Sequence, residues 1–192
     1  MKKVGLLFGS FNPVHIGHLL IARRMKELVG LNEVWMVLSP QNPFKINHQL
    51  LAENQRFELL KAALKNSENI IACDVELHLS KPSFTIHTLE YLSQNYKDTE
   101  FSIIMGEDNI AGFTAWKAYE TIANNHFIHV YSRKNSADIK NYYQHSNIHY
   151  YDLPLMDISA TEIRTRIQNG LSIEWMVPEA VQKIIIDNKW YL

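Results

Sequence analysis

Short apolar runs and helical spacing alternate along this chain. Four largely apolar runs predict buried strands, and they span residues 4–8, 34–38, 101–105 and 127–131. A shorter run over residues 70–73 is a fifth candidate. Runs that are apolar at consecutive positions, rather than at alternate ones, are typical of strands covered on both faces.

Between these runs, apolar residues recur at helical spacing. One predicted helix carries apolar residues three and four positions apart on a single face: Leu19, Ala22, Met25 and Val29. Gly30 is placed to end that helix. The same kind of spacing predicts further helices over residues 57–64, 86–96 and 159–170, and from Pro178 onward.

This order of elements predicts an α/β fold, a doubly wound parallel sheet with right-handed crossovers and helices on both faces. No internal repeat or clear linker interrupts it, so we expect a single domain over residues 1–192. Residues 134–146 form the most polar stretch, and we expect them to be a surface excursion of that domain. Ligands of such sheets bind beyond the carboxyl ends of the strands, so the segments that follow the strands are the candidates for function.

The balance of charged residues limits the classes of binding partner that we expect. Lys and Arg total 19, Asp and Glu total 20, and the net charge is −1. Such a balance supplies no broad positive field, so we expect no nucleic-acid partner, although a small anion in a local basic pocket is allowed.

Cys73 is the only cysteine, which excludes an intrachain disulfide and a cysteine-rich zinc site. No apolar run reaches the roughly 18 residues of a membrane span, and no signal-peptide pattern is found. We therefore expect a cytoplasmic protein with no membrane partner.

The segment directly after the first predicted strand has the features of a phosphate site. Gly9 allows a close turn past a ligand. We expect Asn12 to cap a helix whose first residue is Pro13. His15 and His18 then share one face of the first turns. A helix N-terminus attracts anions, and two imidazoles beside it can donate hydrogen bonds as charge develops on a phosphate.

Two other interpretations of this histidine pair stay open at this point. The histidines could be polar residues at an exposed helix start, or zinc ligands, although no third ligand is recognisable. Gly17, between them, leaves room for a group to lie flat against the backbone. The two common phosphate loops, Gly-x-x-x-x-Gly-Lys-Ser/Thr and Gly-x-Gly-x-x-Gly, do not follow the first strand.

Later segments add polar and aromatic candidates. Lys45, after the second strand, could reach a phosphate as a point charge. After the run that ends at residue 105, Asp108 could accept hydrogen bonds from ribose hydroxyls. Trp116 could stack on a planar ring or pack in the core.

The start of the helix predicted near residue 159 contains more than a cap. Ser159 and Glu162 have the spacing of a capping box, which explains both. Thr161 and Arg164 are not explained by capping, whereas phosphate binding explains them. We therefore expect a second helix N-terminus that serves a polyphosphate.

Two motifs carry a resemblance to a known family. Gly-x-Phe-x-Pro-x-His-x-Gly-His at residues 9–18 and Ile-Ser-x-Thr-x-Ile-Arg at residues 158–164 resemble the nucleotidyltransferase superfamily. Within it the chain is similar to bacterial nicotinate-nucleotide adenylyltransferases, through segments spread over nearly the whole length: residues 83–89, 106–109, 116–117, 131–133 and 177–181. The resemblance implies a Rossmann-like nucleotidyltransferase fold.

The resemblance also implies a reaction. The adenylyl group of ATP would pass to nicotinate mononucleotide, giving deamido-NAD and pyrophosphate, and Mg²⁺ would accompany ATP without metal ligands from the protein. His15 and His18 would be catalytic. ATP would contact those histidines and a further set of residues: Gly9, Ser10, Phe11, Gly106, Asp108, Ser159, Thr161 and Arg164. The mononucleotide would contact Lys45, Thr85, Asp108 and Trp116.

This sequence departs from the family pattern at a few positions, and other functions remain alternatives. Asn12 stands where Asp is usual, and Phe44 stands where His is common. Another transferase of the superfamily would use pantetheine phosphate, glycerol phosphate or nicotinamide mononucleotide. His-Ile-Gly-His at residues 15–18 also resembles class I aminoacyl-tRNA synthetases, but their Lys-Met-Ser-Lys-Ser motif is missing. A nucleotide-sensing module without turnover is a further alternative, and a homo-oligomer is left open.

Overall fold

The computed structural model describes residues 1–40, 50–133, 143–154 and 157–192 and contains a six-stranded sheet. Its strands are β1 (Lys2–Gly9), β2 (Glu33–Leu38), β3 (Ile70–Cys73), β4 (Thr99–Gly106), β5 (Ile128–Arg133) and β6 (Ile148–Leu153). They lie in the order β3-β2-β1-β4-β5-β6, and every adjacent pair is parallel. The predicted doubly wound parallel sheet is confirmed, and this strand order is that of Rossmann-like folds.

Helices connect the strands. They are α1 (Ile16–Val29), α2 (Glu53–Leu64), α3 (Val75–His78), α4 (Thr85–Asn95), α5 (Glu107–Ile110), α6 (Tyr119–Asn125), α7 (Ala160–Gln168) and α8 (Glu179–Asp187). A 3-10 turn covers Phe113–Ala115. In the described part of the chain, no helix is long and apolar enough to cross a membrane.

The two faces of the sheet support separate cores. In β1, Leu6 packs into one core and its neighbour Leu7 into the other, and both are at most 4% exposed. Ile103 and Ile104 of β4 divide in the same way. Helices α1, α2, α7 and α8 complete the core on the Leu7 side, which we call the α1 face, and α4, α5 and α6 complete the other, the α4 face. Burial of each large apolar side chain contributes about 1.5–3 kcal/mol, which explains the consecutive apolar positions.

The predicted strands are all present, but β6 has no counterpart among them. It is an edge strand in which only Ile148 and Leu153 are buried, and the four residues between them are His, Tyr, Tyr and Asp. A strand with this composition does not form an apolar run. Of the polar stretch that we expect at the surface, residues 134–142 lie outside the described residues.

Helix α1 begins later than the sequence predicts. His15 is its N-cap, so the predictions that Asn12 caps the helix and that Pro13 is its first residue are wrong. The reason is tertiary, because Asn12 Oδ1 accepts hydrogen bonds from Leu51 N–H at 3.2 Å and from the Tyr191 hydroxyl at 2.9 Å. A side chain that is used by distant segments is not available for a local cap.

Candidate active site

A cavity of about 370 Å³ lies beyond the carboxyl ends of β1 and β4. The order of the sheet reverses between these two strands, which is where ligands of open α/β sheets bind. Several predicted site residues line the cavity: Gly9, Ser10, Phe11, His18, Thr85, Gly106, Asp108 and Trp116. Four others are not among its lining residues: His15, Ser159, Thr161 and Arg164. Lys45 lies outside the described residues.

The first junction, residues 9–18 between β1 and α1, holds its two histidines in contact. The ring centroids of His15 and His18 are 3.6 Å apart, with 30° between the ring planes. The His15 N–H donates to Nδ1 of His18 at 3.3 Å, so a neutral His18 carries its proton on Nε2. The ring of Phe11 contacts His18 edge-on, with the centroids 5.1 Å apart. The His18 ring is therefore fixed from two sides where it lines the cavity.

Burial keeps both imidazoles neutral around neutral pH. It lowers the pKa of His15 to about 4. It also lowers the pKa of His18 well below the ordinary value, and the nearby charge of a protonated His15 lowers it further. Both rings therefore act as neutral N–H donors and not as cations.

At the start of α1, one backbone N–H group already has a partner and the space beside Gly17 is filled. The N–H of Ile16, the first helical residue, donates to the Met176 carbonyl at 2.9 Å. A Cβ on Gly17 would lie 3.0 Å from Nδ1 of His15, so the group that lies flat against Gly17 is the His15 ring. The His18 side chain is thus a more prominent donor toward the cavity than the helix end itself.

The second junction, residues 158–164 between β6 and α7, lies against the first. Arg164 Nη1 donates to the Asn12 carbonyl at 2.8 Å, across 152 residues of sequence. The Ile158 carbonyl oxygen lies 4.0 Å from the point where a Cβ on Gly17 would be. Two segments that are far apart in the chain are therefore neighbours in the fold.

The side chains of the second junction serve partly as structure. Ser159 Oγ accepts a hydrogen bond from Glu162 N–H at 3.1 Å, which confirms the predicted cap. Arg164 is only 7% exposed, and its Nη2 donates to Thr161 Oγ1 at 3.2 Å. Its Nε and the Nδ1 of His15 are buried and have no hydrogen-bond partner among the described residues. Buried polar atoms without a partner are rare in folded proteins, and a bound anion is one way to complete them.

The opposite side of the cavity comes from the α4 face. Thr85, the first residue of α4, lines it together with Trp116, which follows the 3-10 turn. Trp116 is half-buried and packs against Phe113, with ring centroids 5.6 Å apart. Lys117 Nζ lies 4.8 Å from the centroid of the Phe84 ring. One part of the indole therefore packs in the core, while another part is available at the cavity.

Asp108 depends on a close backbone approach at the end of β4. A Cβ on Gly106 would lie 2.5 Å from Asp108 Oδ1 and 3.3 Å from the Tyr131 hydroxyl oxygen, so a larger residue would displace the carboxylate. Burial, with a smaller effect of the Asp108 charge, raises the pKa of Tyr131 to about 12. The Tyr131 hydroxyl therefore stays protonated beside this carboxylate.

Comparison with known proteins gives the family. Residues 6–166 match the family described as cytidylyltransferase-like. A protein of Cytophaga hutchinsonii named "Probable nicotinate-nucleotide adenylyltransferase" is 44% identical to this chain, over 98% of each sequence. A protein of Flavobacterium johnsoniae with the same name is 40% identical, again over 98% of each. The chain belongs to the nicotinate-nucleotide adenylyltransferase family.

Solved structures agree with this family at the level of the fold. Plasmodium falciparum nicotinic acid mononucleotide adenylyltransferase, complexed with NaAD, has a TM-score of 0.81 at 19% identity. That match covers 100% of this chain and 98% of the other. The same enzyme complexed with APC has a TM-score of 0.79 at 18% identity. The family resemblance inferred from the two motifs is confirmed.

Arg56 holds backbone segments of the site together, although no sequence motif points to it. It is fully buried in α2, and its Nη1 donates to the carbonyls of Ser10 at 2.6 Å and Ser39 at 2.9 Å. Its Nη2 donates to Pro40 O at 2.6 Å, and its Nε to Leu51 O at 3.0 Å. One guanidinium thus joins the segments that follow β1 and β2. The only local signal is a charged residue directly before the helix predicted over residues 57–64, three and four positions before Leu59 and Leu60.

Tyr191 is a second residue of this kind. Its hydroxyl donates to Asn12 Oδ1 at 2.9 Å, which connects the segment after α8 to the first junction. Burial raises the pKa of Tyr191 above its ordinary value, although the charges of Arg164 and Arg56 oppose the shift. A phenol that stays protonated can act as the donor in this bond at any ordinary pH.

Proposed function

We propose that this chain transfers the adenylyl group of ATP to nicotinate mononucleotide, giving deamido-NAD and pyrophosphate in NAD biosynthesis. The observation that carries the proposal is the 2.8 Å hydrogen bond from Arg164 to the Asn12 carbonyl, which brings both junctions to one place beside the cavity. The 44% identity with a protein named for this activity supports it. So do the ligands of the Plasmodium enzyme, NaAD and APC, which are named in its structures.

In this reaction a phosphate oxygen of the mononucleotide attacks the α-phosphorus of ATP in line. A new oxygen–phosphorus bond forms, the bond from the α-phosphorus to the bridging oxygen breaks, and pyrophosphate leaves with the electron pair. The protein has little covalent chemistry to perform, and it must align two anions and stabilise the developing charge. No side-chain nucleophile is needed. Cys73 is consistent with this, since burial raises its pKa to about 11 and keeps the thiol protonated.

We assign ATP to the phosphate side of the site, which consists of residues 9–18 and 158–164. The Nε2–H of His18 donates to a phosphate oxygen that gains charge in the transition state. His15 holds the His18 ring through the 3.6 Å stacking contact. Ser159 and Thr161 are exposed at the start of α7 and would contact the β- and γ-phosphates, together with Arg164. Gly9, Ser10, Phe11 and Gly106 would line the nucleotide from the cavity side.

We assign the mononucleotide to the acceptor side, which consists of Thr85 and Trp116, with Asp108 at its edge. The indole of Trp116 would stack on the pyridine ring. Thr85 and the first N–H groups of α4 would receive the carboxylate, as a helix N-terminus favours an anion. Asp108 would accept hydrogen bonds from a ribose, and Lys45 would bridge toward the reacting phosphates.

The residues of the cavity fit a cation that enters with the nucleotide. No group of three or more His, Cys, Asp or Glu side chains that could hold a metal occurs in the described ranges. Asp108 supplies one carboxylate at the cavity. Mg²⁺ typically keeps several waters and binds through one or two carboxylates and the phosphates of a substrate. We therefore propose Mg²⁺ as the ion, and when bound it would neutralise phosphate charge.

We further propose that residues 1–192 act as one nucleotidyltransferase domain in the cytoplasm. The two cores share every strand of one sheet, and the first junction contacts both α7 and Tyr191. These contacts support a site that needs segments far apart along the chain.

Pyrophosphate release tests the proposed reaction. The purified chain is supplied with ATP, Mg²⁺ and one acceptor at a time: nicotinate mononucleotide, nicotinamide mononucleotide, pantetheine phosphate or glycerol phosphate. We expect release with nicotinate mononucleotide at a kcat/KM at least about tenfold above that of the amide, since carboxylate and amide differ by a full charge at a helix N-terminus. Preference for another acceptor would overturn the substrate assignment. ATP binding with no release for any acceptor would favour the sensing module.

A further inference from the structure

Glu76 is a buried carboxyl group for which the proposed reaction has no use. It lies in the short helix α3, is 3% exposed and lines the cavity. The hydroxyl of Thr88 donates to its Oε1 at 2.9 Å, and the hydroxyls of Ser39 and Ser83 lie close enough to lower its pKa. Burial raises the pKa of Glu76, while these three hydroxyls lower it. A buried carboxyl that collects three donors usually serves to hold them in place.

The three hydroxyls come from separate segments of the chain. Ser39 follows β2, Ser83 precedes α4, and Thr88 lies in the first turns of α4. Both serines line the same cavity as Glu76. Thr88 is fully buried, so its hydroxyl has no water to replace the carboxyl as a partner. Glu76 therefore joins the start of α4 to the end of β2.

The start of α4 is where the acceptor side begins. Phe84 is the N-cap of α4 and Thr85 its first residue, and both line the cavity. A small movement of this helix end would change the position of its N–H groups relative to a bound carboxylate. The phosphate side is held by Arg164 and Arg56, and neither has Glu76 as a hydrogen-bond partner. Arg56 meets this group only at Ser39, where it binds the backbone carbonyl and not the hydroxyl.

We propose that Glu76 is a positioning residue of the acceptor side, which fixes the start of α4 through three hydroxyls and thereby sets the affinity for the mononucleotide and not that for ATP. This inference rests on the proposed function. It differs from a purely structural role, since a structural role would change stability without separating the two substrates.

Steady-state kinetics with each substrate varied in turn test the inference. For Glu76→Ala we expect the KM for the mononucleotide to rise at least about tenfold, the change that one lost buried hydrogen bond produces. The KM for ATP stays within about twofold. Glu76→Gln keeps an acceptor for Thr88, so its rise is smaller. Glu90→Ala, which removes an exposed carboxyl from α4, is the control and changes neither constant.

If the Glu76 variants do not fold, Ser83→Ala tests the positioning role of Glu76 instead. It removes one of the three hydroxyls from a half-buried position and leaves the carboxyl in place. We expect about a threefold rise in the KM for the mononucleotide alone. Calorimetric binding of the mononucleotide, and separately of a non-hydrolysable ATP analogue, should show the same separation.

The outcomes distinguish the two proposals. If the wild-type chain releases pyrophosphate but the variants change both KM values equally, or neither, the inference about Glu76 is wrong and the proposed function stands. If the wild-type chain uses no mononucleotide, the proposed function fails and the inference fails with it.

Discussion

The phosphate side and the acceptor side are held by different kinds of interaction. On the phosphate side, Arg56 and Arg164 donate to backbone carbonyls at 2.6–3.0 Å, and both side chains are at least 93% buried. On the acceptor side, the Glu76 carboxyl accepts a hydrogen bond from Thr88 and faces two further hydroxyls, and Trp116 is half-buried against Phe113. The difference suits the two tasks. Donors that stabilise charge in a transition state must be fixed in advance, whereas an acceptor pocket can vary without disturbing them.

The largest expected effect is on stability, from Arg56→Met. The substitution removes the donor from four carbonyls, of which that of Pro40 is buried and the others are partly buried, so the free energy of unfolding should fall by about 3–5 kcal/mol. Urea denaturation measures it. Lys61→Met, on the exposed side of α2, is the control and should stay within about 0.5 kcal/mol. A loss below about 1 kcal/mol for Arg56→Met would show that the phosphate side is not held by this residue.

The next effect is on the chemical step. His18→Ala removes a fixed donor of the phosphate side, so kcat should fall at least about 10²-fold while the fold is retained. Turnover at saturating substrates and circular dichroism measure the two quantities. His78→Ala, at an exposed position of α3, should leave kcat unchanged. Near-normal turnover of His18→Ala would remove this residue from the mechanism.

The pH dependence of stability provides a reference measurement at a residue that lies outside the phosphate side and the acceptor side. His129 in β5 is 5% exposed, and burial, with smaller effects of His149 and Lys3, lowers its pKa to about 4. The unfolded chain, with a pKa near 6.5, takes up the proton first as the pH falls. Stability is therefore complete above about pH 6.5 and decreases toward pH 4, by about 2 kcal/mol between pH 7 and pH 5 from this residue.

Urea denaturation at pH 7 and pH 5 checks this prediction. His129→Leu should make the pH dependence shallower by that amount, since leucine does not titrate. An unchanged pH dependence in the variant would mean that His129 is not buried in its neutral form.

The smallest effect is expected on the acceptor side. Trp116→Ala should raise the KM for the mononucleotide about tenfold and the KM for ATP less than about twofold, as a stacking contact contributes about 0.5–1.5 kcal/mol. Trp116→Phe should recover most of the loss. Trp175→Ala, at a position 83% exposed, is the control. An equal rise of both KM values would remove the distinction between the two sides.

Much of the fold is predictable from local pattern because interior strands are covered on both faces. Residues 34–38 and 101–105 are largely apolar for that reason, and each forms a central strand of the sheet. The edge strand β6 does not show this apolar pattern, since only its first and last residues are buried. The order β3-β2-β1-β4-β5-β6 itself follows from chain connections and not from any single segment.

The site is predictable where one segment carries the chemistry and not where distant segments meet. The stacking of His15 on His18 follows from their spacing at a helix start. The role of Asn12 does not, because Leu51 and Tyr191 compete successfully for its side chain. Arg56 and Glu76 are missed for the same reason, since their partners lie in other elements. The assigned contacts of the predicted site residues with ATP and the mononucleotide remain predictions.

The hydrogen bonds that complete the first junction span 152 and 179 residues, from Arg164 and Tyr191 to Asn12. During synthesis the histidine segment leaves the ribosome well before the residues that complete its surroundings. Contacts of such long sequence separation form late and slow folding. A nascent chain that ends before α7 should therefore expose an unfinished nucleotide site, and catalytic competence should arise only when α7 and α8 dock.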